Sequence, residues 1–304
     1  MKKEKFKAGF VGILGRPNVG KSTLLNALVG DKVSIISAIP QTTRHQIRGI
    51  LNLKNAQVVF VDTPGIHSFK DKLASHLNKI AKRSLDGCDL IIYVVDVSRA
   101  PGKEEEQLIN ILSQTTIKTI MVLNKVDLGL RFFNDYIGLW KHSVEKKKKT
   151  NSLVYYIPVS AKTGKNVEVV KDVLLENLPQ SHPYYEEDTI TDFPLKFRIA
   201  DIVREKLFLH LKKEIPHDLA VEVSQIEEKK KVIYIAVNIY VKRNSQKRIV
   251  IGKKGEVLKE VGKLARTEIE KIYSKKVFLD IWIKVLRDWQ ERPRILKELG
   301  YWWT

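Results

Sequence analysis

The sequence predicts a doubly wound α/β domain with a mostly parallel sheet, followed by a smaller α+β domain. Three observations carry this. Over residues 1–178 short apolar runs alternate with amphipathic stretches, so that strand and helix repeat in turn. Residues 179–194, PQSHPYYEEDTITDFP, bring three prolines, several acids and no apolar periodicity, which is the composition of a linker. From 195 to 304 two apolar runs are adjacent and are followed by helical patterns, the order of a mixed domain.

In the first domain KAGFVGIL reads as a strand and KSTLLNALVG as a helix. QVVFVD precedes KLASHLNKIAKRSLDG, LIIYVVD precedes EEEQLINILSQ, KTIMVLN precedes a longer polar helix, and LVYYIPVS precedes VEVVKDVLLENL. Strands buried by helices on both faces read as near-continuous apolar runs, and parallel pairing needs a crossover of this length. In the second domain a helix at about 195–213 leads to the strands LAVEVSQI and KVIYIAVNIYV. A short helix, a helix at about 255–273, the strand KVFLDIWIKV and a final helix follow.

The 304 residues suffice for two domains, and 43% hydrophobic residues supply a core for each. A formal net charge of +19 calls for a polyanionic partner or an anionic membrane surface. A single cysteine, Cys88, excludes an intramolecular disulfide. The MKKEKFK start lacks an apolar signal stretch, and no segment approaches the roughly 18 apolar residues of a spanning helix. The expectation is a cytoplasmic chain, peripheral at most to the inner face of the cell membrane.

After the first strand stands Gly15-Arg16-Pro17-Asn18-Val19-Gly20-Lys21-Ser22, with Thr23 continuing into a helix. This is the full phosphate-loop spacing in a strand-loop-helix setting. Gly15 and Gly20 let successive N–H groups surround a β-phosphate. Lys21 offers charge to the β- and γ-phosphates, Ser22 an oxygen to Mg²⁺, and the helix N-terminus its partial positive charge. Asp62-Thr63-Pro64-Gly65 ends the strand QVVFVD, where Asp62 would hold Mg²⁺ and the Gly65 N–H would report the γ-phosphate.

Asn124-Lys125-Val126-Asp127 ends KTIMVLN and selects the base. Guanine presents two parallel donors that the Asp127 carboxylate accepts together, whereas adenine does not. In Ser160-Ala161-Lys162 a backbone N–H would meet guanine O6. Between the phosphate-loop helix and Asp62 lies the polar stretch Pro40-Gln41-Thr42-Thr43-Arg44-His45. A threonine hydroxyl here would complete the Mg²⁺ shell only with a γ-phosphate present, so that GTP orders the segment and GDP releases it. Thr43 is favoured over Thr42.

These motifs in order resemble the translation-factor-related class of P-loop GTPases. With the QTTRH segment and the second domain, the whole chain is similar to the Era family of bacterial GTPases. The resemblance implies hydrolysis of GTP to GDP and phosphate by a monomer, with Lys21, Asn18, Thr43 and Gly65 about the transferring phosphate. It departs from Ras-like relatives at Ile66, where those carry a glutamine that orients water. Relatives with an apolar residue here often place K⁺ on an asparagine at the position of Asn18.

Ile249-Val250-Ile251-Gly252-Lys253-Lys254-Gly255 joins a short helix to a long one. A GXXG loop between helices is the KH signature: its glycines let a phosphate-sugar backbone approach, and Lys253 and Lys254 add charge. From residue 196 onward 26 Lys and Arg face 15 Asp and Glu, so the basic excess follows this domain. The element order matches a type II KH domain, and the Era resemblance implies small-subunit ribosomal RNA as partner and a role in rRNA processing and small-subunit assembly. The alternative is a membrane-surface switch whose second domain docks protein or lipid. Trp282, Trp289, Trp302 and Trp303 are expected to pack into the core rather than to stack on bases.

Overall fold

The central strand β1 (Lys7–Leu14) is apolar on both faces and sits inside a six-stranded sheet ordered β2-β3-β1-β4-β5-β6. The others are β2 (Ile47–Leu53), β3 (Ala56–Asp62), β4 (Leu90–Asp96), β5 (Lys118–Asn124) and β6 (Leu153–Val159). All pair in parallel except β2, which runs antiparallel to β3. The helices are α1 (Lys21–Val29), α2 (Lys103–Leu112), α3 (Phe133–Lys146) and α4 (Val167–Asn177). Alternate side chains of β4 feed two cores: Ile92 and Val94 join Leu24, Leu28 and Val170, while Ile91, Tyr93 and Val95 join Leu108, Tyr136 and Trp140. This two-sided burial explains the continuous apolar runs.

The computed structural model describes residues 5–37, 39, 44–62, 87–113, 115–146, 152–211 and 215–301. The helix expected from KLASHLNKIAKRSLDG falls outside them. Strand β2 is not announced by the sequence, because Arg48 and Asn52 interrupt its apolar run. It is an edge strand whose polar positions find local partners: Gln57 Nε2 donates to Asn52 Oδ1 at 2.7 Å.

Residues 179–192 are not a free linker. The Ala8 N–H donates to the Pro179 carbonyl at 3.2 Å and the Ile50 N–H to that of Ile190 at 2.9 Å. Gln57 Oε1 accepts the N–H groups of Tyr184 and Tyr185 at 2.7 and 3.0 Å, and Arg48 pairs with Asp192 at 2.8 Å. Backbone groups bordering the sheet need partners, and this proline-broken segment supplies them. The chain accordingly divides at Phe193, later than the linker reading placed the end of the first domain. The described residues 35–37 and 39 group with the second unit, where the Ile36 N–H donates to Glu205 Oε1 at 2.9 Å and Ile39 packs on the core.

That second unit comprises α5 (Leu195–His210), the single turn α6 (Ile215–Asp218), β7 (Ala220–Glu228), β8 (Val232–Val241), α7 (Asn244–Ile251), α8 (Glu256–Tyr273), β9 (Lys276–Val285) and α9 (Pro293–Glu298). Its sheet order is β7-β8-β9, antiparallel then parallel. Helix α8 turns Val261, Ala265 and Ile269 into the core, with Ile233, Ile235 and Val237 of β8 opposite. Burying an aliphatic side chain of this size contributes about 1.5–3 kcal/mol. Trp289 is buried as expected, its Nε1 donating to the Asp218 carbonyl at 2.8 Å. Trp282 is not: it is 61% exposed on the sheet's open face, because its position in β9 has the parity opposite to that of core residues Val277 and Ile283. Trp302 and Trp303 lie outside the described residues.

Candidate nucleotide site and nucleic-acid surface

The phosphate loop joins the C-terminal end of β1 to the N-terminus of α1, with Asn18 at φ 64. Gly20 adopts φ +99, and a Cβ on it would stand 2.4 Å from Asn124 Nδ2, so the loop passes directly against the base-recognition motif. Lys21 is buried, and its Nζ donates to the carbonyls of Gly15 and Arg16 at 3.0 Å each. Burial pushes its ammonium down to about 8, with the Asp62 carboxylate opposing and Arg99 adding to that shift.

Asn124 ties the motifs together. Its Nδ2 donates to the Val19 carbonyl at 2.7 Å, and its Oδ1 accepts the Ala161 N–H at 3.0 Å. The sequence assigned an amide of the Ser160-Ala161-Lys162 segment to guanine O6; here that of Ala161 serves Asn124. Asp127 is exposed, and Ser160 Oγ donates to its Oδ1 at 2.6 Å. Lys125 takes φ 66, and Lys162 is exposed.

For a divalent cation the described ligand candidates are the oxygens of Ser22 and Asp62. Ser22 Oγ lies 2.9 Å from Asp62 Oδ2, at the end of β3 beside the N-terminus of α1. A hydroxyl and a carboxylate suit Mg²⁺, which prefers a few hard oxygen ligands and keeps several waters. Gln41, Thr42, Thr43, Thr63, Pro64, Gly65 and Ile66 lie outside the described residues. Arg44 and His45, which the sequence places in a polar stretch, are both buried.

Five residues escaped the sequence reading. Ser34 is buried and its Oγ donates to Asp62 Oδ2 at 3.1 Å, while Asn26 Oδ1 accepts the N–H groups of Val33 and Ser34 at 3.0 and 2.9 Å. Asp96, at the end of β4, accepts from Lys125 Nζ at 2.7 Å and pairs with Arg99 Nε at 3.1 Å. Burial opposes its charge, yet Lys125 and Ser98 outweigh it and hold the carboxyl below its ordinary value. Arg99 also donates to the Pro17 carbonyl at 3.0 Å, and buried Glu105 makes a forked pair with Arg16 at 2.6 and 2.8 Å. The signal was present as VVDVSR at a strand end, but no local spacing announces it.

In the second unit α7 ends at Gly252, whose φ of +77 and whose crowding by Val257, 2.6 Å from a would-be Cβ, both exclude a side chain. Lys253 and Lys254 project from the loop, exposed, and Gly255 caps α8. Beside the loop runs a cavity of about 550 Å³ between α8 and β9. Leu258, Gly262, Leu279 and Ile281 form its floor, and Lys259, Lys263 and Arg266, with Glu260 as the one acid, its rim. An apolar floor with a cationic rim accepts unstacked bases and their phosphates. Ile251 is half-buried against the same core.

The first unit is thus a P-loop GTPase domain and the second a KH domain. Family models agree: one for 50S ribosome-binding GTPases matches residues 10–125 and one for KH domains residues 214–290. GTPase Era of Geobacter metallireducens is 42% identical over 99% of this chain and 100% of its own length, and that of Caldanaerobacter subterraneus is 42% identical over 97% and 98%. The chain belongs to the Era family of GTPases. A crystal structure of an Era protein with MgGDPNP and nucleotides 1506–1542 of 16S ribosomal RNA superposes with a TM-score of 0.90 at 39% identity, covering 97% of this chain and 99% of that one. An Aquifex aeolicus Era variant bound to GDP·AlF4⁻ gives 0.89, also at 39% identity and with the same coverage. Among the described residues no helix is long and apolar enough to cross a membrane.

Proposed function

We propose that this chain binds GTP, hydrolyses it to GDP and phosphate, and uses the nucleotide state to set its grip on small-subunit ribosomal RNA during rRNA processing and assembly of the small subunit. The observation that carries the reading is the Asn124 junction, which fixes the phosphate loop and the base-recognition segments in one frame. Lys21, Gly15 and Gly20 serve the phosphates, Asp127 the guanine edge, and Asn124, Lys125 and Ser160 position them. Ser22 and Asp62 hold Mg²⁺ with a threonine, Thr43 before Thr42; bound there, the ion neutralises charge on the β- and γ-phosphate oxygens. Asn18, in the same loop at φ 64, would hold K⁺ near these phosphates. Related Era proteins have been crystallised with MgGDPNP, GDP·AlF4⁻ and 16S RNA, which supports both halves.

The RNA half rests on the GXXG lysines and the adjoining cation-rimmed groove, whose shape and size favour splayed bases over a lipid surface. The test is hydrolysis of GTP and ATP by the full chain in K⁺ and in Na⁺ buffer, with RNA binding measured in parallel. The reading expects GTP turnover, no ATP turnover and faster rates in K⁺. Equal rates in the two salts remove the K⁺ assignment, and ATP turnover removes the base assignment.

A further inference from the structure

The sheet face behind the RNA groove carries an ordered row of aromatics that neither the fold nor the nucleotide site uses. Along β9 the side chains alternate: Leu279 and Ile281 floor the groove, while Phe278, Asp280, Trp282 and Lys284 take the opposite face. Strand β9 is the edge of its sheet, so the two faces are separated only by the strand itself. Phe278 and Trp282 are 56% and 61% exposed, the Tyr234 ring stacks on Phe278 with centroids 5.8 Å apart, and Asp280 Oδ2 accepts from both Tyr234 Oη and Trp282 Nε1 at 3.0 Å. The carboxylate thereby satisfies the indole N–H and ties the Tyr234 and Trp282 side chains together, with Phe278 and Trp282 left exposed. Exposed aromatic rings braced by a shared carboxylate mark a contact site.

We propose that this face of β9 is a second base-stacking platform, onto which single-stranded RNA continues from the groove around the sheet edge. It rests on the RNA-binding reading of the groove. Continuity with that groove names the occupant, and the exposed Lys276 and Lys284 at either end of the same row match its phosphates. Phe278 and Trp282 stand about 13 Å apart along the strand, by the usual rise per residue. Bases stack on such rings without needing a cavity or a particular sequence.

The test uses the full-length chain and two RNAs: an oligonucleotide of about four nucleotides, which fills a KH groove, and the 16S segment 1506–1542 used with the Era relative. Both variants, Trp282→Ala and Phe278→Ala/Trp282→Ala, are expected to bind the short RNA as the parent does and the long RNA about tenfold more weakly. Trp282→Phe, which keeps a ring, is expected to recover most of the loss. Both positions are exposed, and thermal unfolding of each variant checks that the fold is intact. Unchanged affinity for the long RNA overturns the proposal, and if binding to small ribosomal subunits then falls, the face docks protein instead. A parent chain that binds neither RNA refutes the groove reading itself and this extension with it.

Discussion

Lys125 of the base-recognition motif donates to Asp96 of the neighbouring strand at 2.7 Å, and Asp96 pairs in turn with Arg99, which reaches the Pro17 carbonyl of the phosphate loop. This is a second bridge between base and phosphate segments, parallel to that of Asn124. Both loops therefore take their positions from one carboxylate. Asp96→Asn and Arg99→Ala are expected to speed release of GDP and of a non-hydrolysable GTP analogue alike, about tenfold, with turnover at saturating GTP little changed. Stopped-flow dissociation of a fluorescent nucleotide measures this; a fall in saturating turnover with normal release would assign the pair to the chemical step instead.

Asp127 is held at one oxygen by Ser160, so its aim is set. Asp127→Asn is expected to weaken GTP by several orders of magnitude and to favour xanthosine triphosphate, whose C2 carbonyl accepts from an amide donor. Competition between the two nucleotides tests it. Unchanged GTP affinity is incompatible with guanine recognition at this residue.

The buried Lys21, pushed down to about 8, makes nucleotide binding pH-dependent. Bound phosphates raise its pKa, so binding takes up a proton only where the free protein has lost one. Affinity is expected to be level below pH 8 and to fall as pH rises through and beyond it. Calorimetry in buffers of different ionisation enthalpy should show proton uptake at pH 9 and little at pH 7. Uptake equal at both values contradicts the assignment to Lys21.

At the GXXG loop, Gly252 is crowded by Val257, so a substitution there strains the fold as well as the RNA contact. Lys253→Ala/Lys254→Ala is the cleaner change, because both side chains are exposed. RNA affinity is expected to fall about tenfold or more, with a shallower salt dependence, while GTP binding stays intact. A full salt slope in the double variant would remove these lysines from the phosphate path.

What the sequence revealed is what local chemistry dictates. The phosphate loop, Asn124 with Asp127, and the GXXG loop each need particular residue types at fixed short spacing, and each stands in the setting its motif requires. Asp96, Arg99 and Glu105 act through contacts across strands and loops, which no local pattern encodes. The same limit hid β2, whose polar residues are satisfied only by the pairing itself, and the partners of residues 179–192. Trp282 and Trp289 look alike as apolar aromatics in sequence; the parity of β9 puts Trp282 on the open sheet face, while Trp289, in the turn beyond that strand, is buried with its indole N–H on the Asp218 carbonyl.

The central claim is that nucleotide state sets RNA affinity. Ser34 bonds Asp62 in the first unit, and the short stretch that follows, which groups with the second unit, is anchored where the Ile36 N–H donates to Glu205. A change in this segment on nucleotide exchange therefore bears on both. The direct measurement is titration of the 16S segment 1506–1542 with the full chain loaded with GDP and with GDPNP at one salt concentration. The account predicts tighter binding with GDPNP by about 5- to 150-fold, and an equal strengthening of GDPNP binding by RNA. Equal RNA affinity in the two states would contradict it.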